Sequence, residues 1–198
     1  MVGFGTGSLV VFGWVGDYLR IYDINPDVQR LATSRFTYLS NCPARVEIAL
    51  GDARLSLERE PPQNFDLLAL DAFSSDAIPV HLLTKEAFEV YERHLKTTGI
   101  IAVHISNHYL DLEPVVVNLA RHFHYKLASI SHNEADSDAD DEWEGAWWDY
   151  SSTWILLARS EEIINATAIS HAASSVKTNA VIIPLWTDDF ASVFQILQ

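Results

Sequence analysis

Val2-Gly3-Phe4-Gly5-Thr6-Gly7 is the stretch whose reading decides the fold. Three glycines at alternating positions let a backbone turn tightly and approach a ligand with no Cβ in the way. Such a turn follows a strand and opens a helix, so a helix is expected from Ser8 with its N-terminal amides facing the ligand. Only Met1 and Val2 precede the turn. The first strand is therefore expected to be truncated and the chain to be a fragment of a longer protein. The turn is not a dinucleotide fingerprint, because Ser8 stands where the third glycine would be, and no Gly-Lys-Ser or Gly-Lys-Thr marks a P-loop.

Downstream, four more polar signals end apolar runs: Asp23, Gly51-Asp52, Asp71 and Asn107. The apolar runs predict strands over 18–23, 45–50, 65–70, 100–105, 126–131 and 153–158. Helix-period segments separate them. Asn25-Pro26 supplies a cap and a first-turn proline for a helix toward Tyr38, and a short helix is expected over 53–58. Thr84 caps a helix whose Ala87, Phe88, Tyr91 and Leu95 share one face, Gly99 ends that connection, and 112–123 forms another helix. A last amphipathic turn is expected through Phe190, Val193, Phe194 and Leu197. The alternation predicts a single α/β domain over 1–198 with a mostly parallel sheet flanked by helices. Open parallel sheets bind ligands at the carboxyl ends of their strands, where all five signals fall.

Composition narrows the function. With 13 Lys and Arg against 27 Asp and Glu, a net charge of −14 argues against nucleic acid, which requires clustered cations; it would draw in a cationic small molecule, although surplus charge more often only aids solubility. Cys42 is the only cysteine, so an internal disulfide is excluded and a cytoplasmic location is expected. No apolar run approaches the roughly 20 residues that span a bilayer. The histidines show no metal-ligand spacing, and no metal is expected. A serine hydrolase lacks its Gly-x-Ser-x-Gly elbow. The acidic segment 133–150, with Trp143, Trp147 and Trp148, reads either as a solvated loop or as a lid over a cationic ligand.

Each strand-end residue has a chemistry. Gly3, Gly5, Thr6 and Gly7 form the turn; Asp23 can accept both hydroxyl hydrogens of a ribose or cap the following helix. Asp52 can meet an adenine amino group or serve only the turn. Together they describe an adenosine-shaped ligand with no required phosphate contact. Asp71, ending an apolar strand, suits proton removal from an incoming amine, or alternatively bonds loop amides. Ser74 and Asp76 lie within reach to hold a positively charged acceptor.

Val2-Gly3-Phe4-Gly5-Thr6-Gly7, Tyr22-Asp23-Ile24-Asn25-Pro26, Gly51-Asp52-Ala53 and Asp71-Ala72-Phe73-Ser74-Ser75-Asp76 occur in the order and spacing of the spermidine synthase family, which the chain resembles from Val2 to about Ala158. The motifs 82–88, 104–107 and 186–190 further resemble the branch in which a bacterial membrane transporter-like segment precedes the synthase-like domain. The resemblance implies a Rossmann-like class I S-adenosylmethionine-dependent methyltransferase fold. It implies that Gly3, Gly5, Thr6, Gly7, Asp23, Asp52 and Ala53 hold S-adenosylmethionine or its decarboxylated form, that Asp71 deprotonates a polyamine amine, and that Ser74 and Asp76 bind it. It also implies fusion to an upstream membrane segment and allows a homodimer. Thr6 departs from the family's pattern, standing where aminopropyltransferases carry an acid that attracts the donor's amino group. Asp71 and Asp76 are spaced more widely than the family's acidic pair, and the family's small N-terminal β domain is not in the sequence. A methyltransferase and a non-catalytic nucleoside-sensing domain of a membrane protein are the alternatives.

Overall fold

The computed structural model describes residues 1–72, 79–132, 151–174 and 183–197. Strand β1 (Tyr18–Asp23) lies parallel to β2 (Arg45–Leu50), with Tyr18 beside Arg45 and Asp23 beside Leu50. Between them run α1 (Pro26–Arg35) and the short α2 (Tyr38–Asn41). Helix α1 starts where expected, because the Asn25 side chain accepts the Asp27 amide and Pro26 presets the helical φ. It ends at Arg35, short of Tyr38, as Phe36 turns extended.

Helix α3 (Ala53–Arg59) leads to β3 (Phe65–Leu70), and α4 (Lys85–His94) to β4 (Leu95–His104). Helix α5 (Glu113–His122), β5 (Lys126–His132) and β6 (Ser152–Ala158) come next, then α6 (Glu161–Ile164), α7 (Thr167–Ala172) and the two-residue β7 (Ala173–Ser174). Strands β3 and β4 are parallel, whereas β6 runs antiparallel between β4 and β5, and β7 antiparallel beside β5.

Val2 joins the two parts of the sheet. It forms parallel bridges to Tyr22 of β1 and Leu70 of β3. The Val2 amide donates to Ala69 O (2.8 Å) and the Asp71 amide to Val2 O (2.8 Å), while Gly3 N–H donates to Tyr22 O (2.9 Å). The truncated first strand is thus a seam, and the spatial order is β2, β1, Val2, β3, β4, β6, β5, β7. From β2 through β4, and again at β5, the chain direction is the same, so the carboxyl ends lie along one edge.

The structure departs from the sequence reading at several further points. After the glycine turn there is no α-helix but a 3-10 turn, Ser8–Phe12, closed by Gly13 N–H on Val10 O (3.0 Å). β-branched Val10 and Val11 and the subsequent glycine disfavour an α-helix, so the expected row of amides is reduced to one short turn. Gly99 lies inside β4 rather than ending a connection; a Cβ there would sit 2.9 Å from Phe65 O, where the β3–β4 register shifts. Strand β3 is buried only at its carboxyl end, through Leu68 and Leu70, and Leu67 is exposed. The C-terminal turn is 3-10 (Val193–Ile196), burying Ile196 while Phe190, Phe194 and Leu197 face outward.

The main core packs β3, β4 and β6 against α4 and α5, with Leu70, Phe88, Tyr91, Ile101, Val103, Val116, Leu119, Ile155, Leu157 and Trp186 buried. Ala87, Phe88 and Tyr91 point inward as their spacing predicts. A smaller cluster, Phe4, Val10, Ile21 and Ala32, supports β1. No described helix is long and apolar enough to cross a membrane.

Candidate active site

The carboxyl edge brings the strand-end residues into one linked row. Gly51 N–H donates to Asp23 O (2.9 Å), tying the end of β2 to the end of β1. The Phe4 amide donates to Asp23 Oδ2 (2.9 Å) and the Asn25 amide to Oδ1 (2.8 Å). Each oxygen of Asp23 therefore serves the local fold and keeps a second lone pair. Asp23 does not cap α1, whose cap is Asn25; it holds the Phe4 and Asn25 amides and can still accept a hydroxyl hydrogen.

The glycine turn meets the candidate base directly. Gly3 has φ +89°, and a Cβ on it would fall 2.1 Å from the Asp71 carbonyl oxygen. No other residue type fits that contact without moving the backbone. Gly5, at φ +52°, is the opposite case, since a Cβ there would meet nothing within 4 Å. Open space above a left-handed glycine is where a ligand can lie close to the backbone, and Thr6 beside it is exposed. These features fit a nucleoside.

Asp52 caps α3 through Leu55 N–H to Oδ1 (2.8 Å), and its Oδ2 lies 2.9 Å from His81 Nε2. Ala53 opens α3 and is buried. Beside Asp52 a cleft of about 950 Å³ is lined by Arg54, Leu55, His81, Thr84 and Asp188. Gly3, Asp23 and Asp71 do not line it. Asp188 folds back here from the C-terminal segment. Arg54 holds it in a two-pronged pair, Nη1 to Oδ1 at 2.6 Å and Nη2 to Oδ2 at 2.5 Å, and Thr84 Oγ1 donates to Oδ1 (2.9 Å). The hydrogen bond from Arg54 holds the Asp188 carboxyl below the usual carboxylate range and raises the guanidinium in turn.

Asp71 ends β3 next to the seam, and its Oδ1 lies 2.9 Å from His104 Nδ1 at the end of β4. His104 is not among the site residues the sequence suggests, where the histidines are read only for metal binding. The available signal is that Asp71 directly follows the strand predicted over 65–70 and His104 lies next to the end of the one predicted over 100–105; once those strands pair, the two become neighbours. Asn107 turns its Oδ1 toward the amides of Tyr109 and Leu110, both at 2.9 Å, and so shapes the loop. Ser74, Asp76 and the acidic segment 133–150 lie outside the described residues.

Fold and row define a class. The chain has the Rossmann-like class I S-adenosylmethionine-dependent methyltransferase fold: human methyltransferase-like protein 13 in complex with SAH superposes with a TM-score of 0.59 at 16% identity, over 86% of this chain and 75% of that one. Spermidine synthase from Thermotoga maritima superposes with a TM-score of 0.58 at 11% identity, over 95% of this chain and 61% of that one. At the level of sequence, the chain is 29% identical over 106 residues to a polyamine aminopropyltransferase of Vibrio vulnificus (strain CMCP6), a match spanning 51% of this chain and 35% of that protein. No protein-family model matches.

Proposed function

We propose that the chain is a spermidine synthase-like transferase that binds an adenosyl sulfonium donor along the carboxyl edge and moves its aminopropyl group to a polyamine amine. One observation carries the reading: the turn, ribose acid, adenine acid and Asp71 form a connected row in a chain similar in sequence to a polyamine aminopropyltransferase. In the proposed step the neutral amine's lone pair attacks the carbon next to sulfur. The C–N bond forms as the C–S bond breaks, methylthioadenosine leaves as a neutral thioether, and the proton lost from nitrogen goes to Asp71. Gly5 and Thr6 border the donor, Asp23 takes the ribose, Asp52 and Ala53 border the adenine, and Ser74 and Asp76 hold the acceptor's distal charge.

Methyl transfer from S-adenosylmethionine is the second reading, favoured by Thr6, whose neutral hydroxyl provides no charge to select the decarboxylated donor. Calorimetry with both nucleosides separates the two, and a clear preference for the carboxylated form sinks the aminopropyl reading. Incubation with putrescine and decarboxylated donor is expected to yield spermidine and methylthioadenosine. Asp71→Asn should abolish turnover while sparing nucleoside binding. If nucleoside binds and neither group is transferred, the sensing reading replaces both. Cytoplasmic placement, fusion behind a membrane segment and homodimer assembly belong to the same proposal, and fractionation and native mass measurement of the natural gene product check them.

A further inference from the structure

The register Leu70 beside Val103 sets the next residues, Asp71 and His104, side by side at the carboxyl edge. His104 lies within a chain of polar groups. Its Nδ1 is 2.9 Å from Asp71 Oδ1, and its Nε2 is 2.9 Å from Ser106 Oγ. Ser106 Oγ in turn accepts the Thr153 amide at 2.7 Å. The imidazole stacks on Trp154 of β6, with ring centroids 4.8 Å apart and planes 20° from parallel.

The direction of this chain follows from its two ends. A backbone amide can only donate, so Ser106 Oγ accepts from Thr153 and has its own proton left to give. An ionised carboxylate can only accept, so Nδ1 of the neutral ring carries the hydrogen and Nε2 receives the Ser106 proton. The tautomer is thereby set by two groups outside the ring, and stacking on Trp154 limits ring rotation. Asp71 Oδ1 accepts this hydrogen bond. Its Oδ2 accepts no hydrogen bond among the described residues.

Resting on the reading of Asp71 as the base, we infer that His104 is a positioning residue for it. Through Nδ1–H the ring fixes one carboxylate oxygen and leaves Oδ2 to take the amine proton, and Ser106 fixes the tautomer that makes this possible. A carboxylate free to rotate about its last bond would lose that alignment, and misplacements of about 1 Å cost on the order of 100-fold in rate.

The test combines a readout that needs no turnover with one that does. ¹⁵N NMR of the unmodified protein labelled at histidine is expected to show His104 protonated at Nδ1 and bare at Nε2. The reverse tautomer overturns the inference whatever the reaction proves to be. In kinetics, His104→Ala should lower kcat about 100-fold while donor KM and nucleoside Kd stay within about twofold. His104→Asn, which returns an N–H near the Nδ1 position, should recover most of the loss. Equal impairment of both variants, or a loss confined to KM, overturns the inference. If the unmodified protein transfers no aminopropyl group to any amine, the aminopropyl reading fails and the tautomer still decides the His104 assignment.

Discussion

The two sides of the Val2 seam are built differently. On one side β1, which ends in Asp23, and β2, which Asp52 follows, rest on a small apolar cluster of Phe4, Val10, Ile21 and Ala32, with Tyr22 of β1 reaching the main core, and β2 buries no residue fully. On the other side β3, β4 and β6, which hold Asp71 and His104, are backed by α4 and α5 through Phe88, Tyr91, Val116 and Leu119. Each fully buried side chain of this kind contributes about 1.5–3 kcal/mol. The thin side adds polar ties, Phe4 to Asp23 across the glycine turn and Gly51 to Asp23 at the end of the β1–β2 pair. It also exposes Phe12, Trp14 and Val15, at 72%, 75% and 85%. The lesson is a division of labour. On the proposed reading, the groups that would grip a ligand sit on the lightly packed side, where local opening is cheap, and the groups that would hold a proton-transfer geometry sit on the more heavily packed side.

The sharpest way to break this contrast is at the seam itself. Gly3→Ala places a methyl group 2.1 Å from the Asp71 carbonyl at φ +89°, so the joint must open. A loss of about 4 kcal/mol or more is expected in urea unfolding, together with loss of nucleoside binding. A variant of normal stability would show that Val2 does not hold the halves together. Next in size, Phe88→Ala in the thick side should cost about 3–5 kcal/mol, and Ile21→Ala in the thin side about 2 kcal/mol, where collapse is easier. Hydrogen exchange sharpens the same point: amides of β1 and β2 should exchange faster than those of β4 and β6, and equal protection would erase the distinction.

A smaller effect concerns pH. His94 is buried under the thick side, its Nε2 bonded to Leu57 O at 2.8 Å, and burial lowers its pKa below the ordinary value. The unfolded chain therefore takes up a proton, at about pH 6.5 and below, that the folded chain refuses. Stability is full above that value and falls as pH drops toward the lower folded pKa. Melting temperatures from pH 7.5 to 5.5 should show the decline, and His94→Gln, which keeps the donor to Leu57, should flatten it. Smallest of all, Asn25→Ala removes the cap of α1 on the thin side and should cost about 1 kcal/mol by urea titration.

Much of the architecture is legible in the amino-acid order. The strand over 18–23, the Asn25-Pro26 helix start, the Thr84 cap and the inward face of α4 arise from local chemistry, and each occurs. The departures have two causes, one local and one a matter of contacts between distant segments. Gly3 to Gly7 resembles a helix entry, yet Val10, Val11 and Gly13 limit the next segment to a 3-10 turn. Gly99 looks like a breaker, but close approach to Phe65 O explains it, a contact between segments far apart in sequence. Nothing local to Asp188 points to Arg54, which only the fold brings beside it.

Residue order alone establishes the parallel α/β arrangement and the identity of the groups at the strand ends, because alternating apolar runs, caps and glycine turns act within a few residues. Which of those groups touch is settled in three dimensions, since strand order depends on packing and on backbone pairing over long separations. That pairing placed Val2 between β1 and β3 and reversed β6 against β4. Through it Asp71 came to lie beside Gly3 on one flank and His104 on the other.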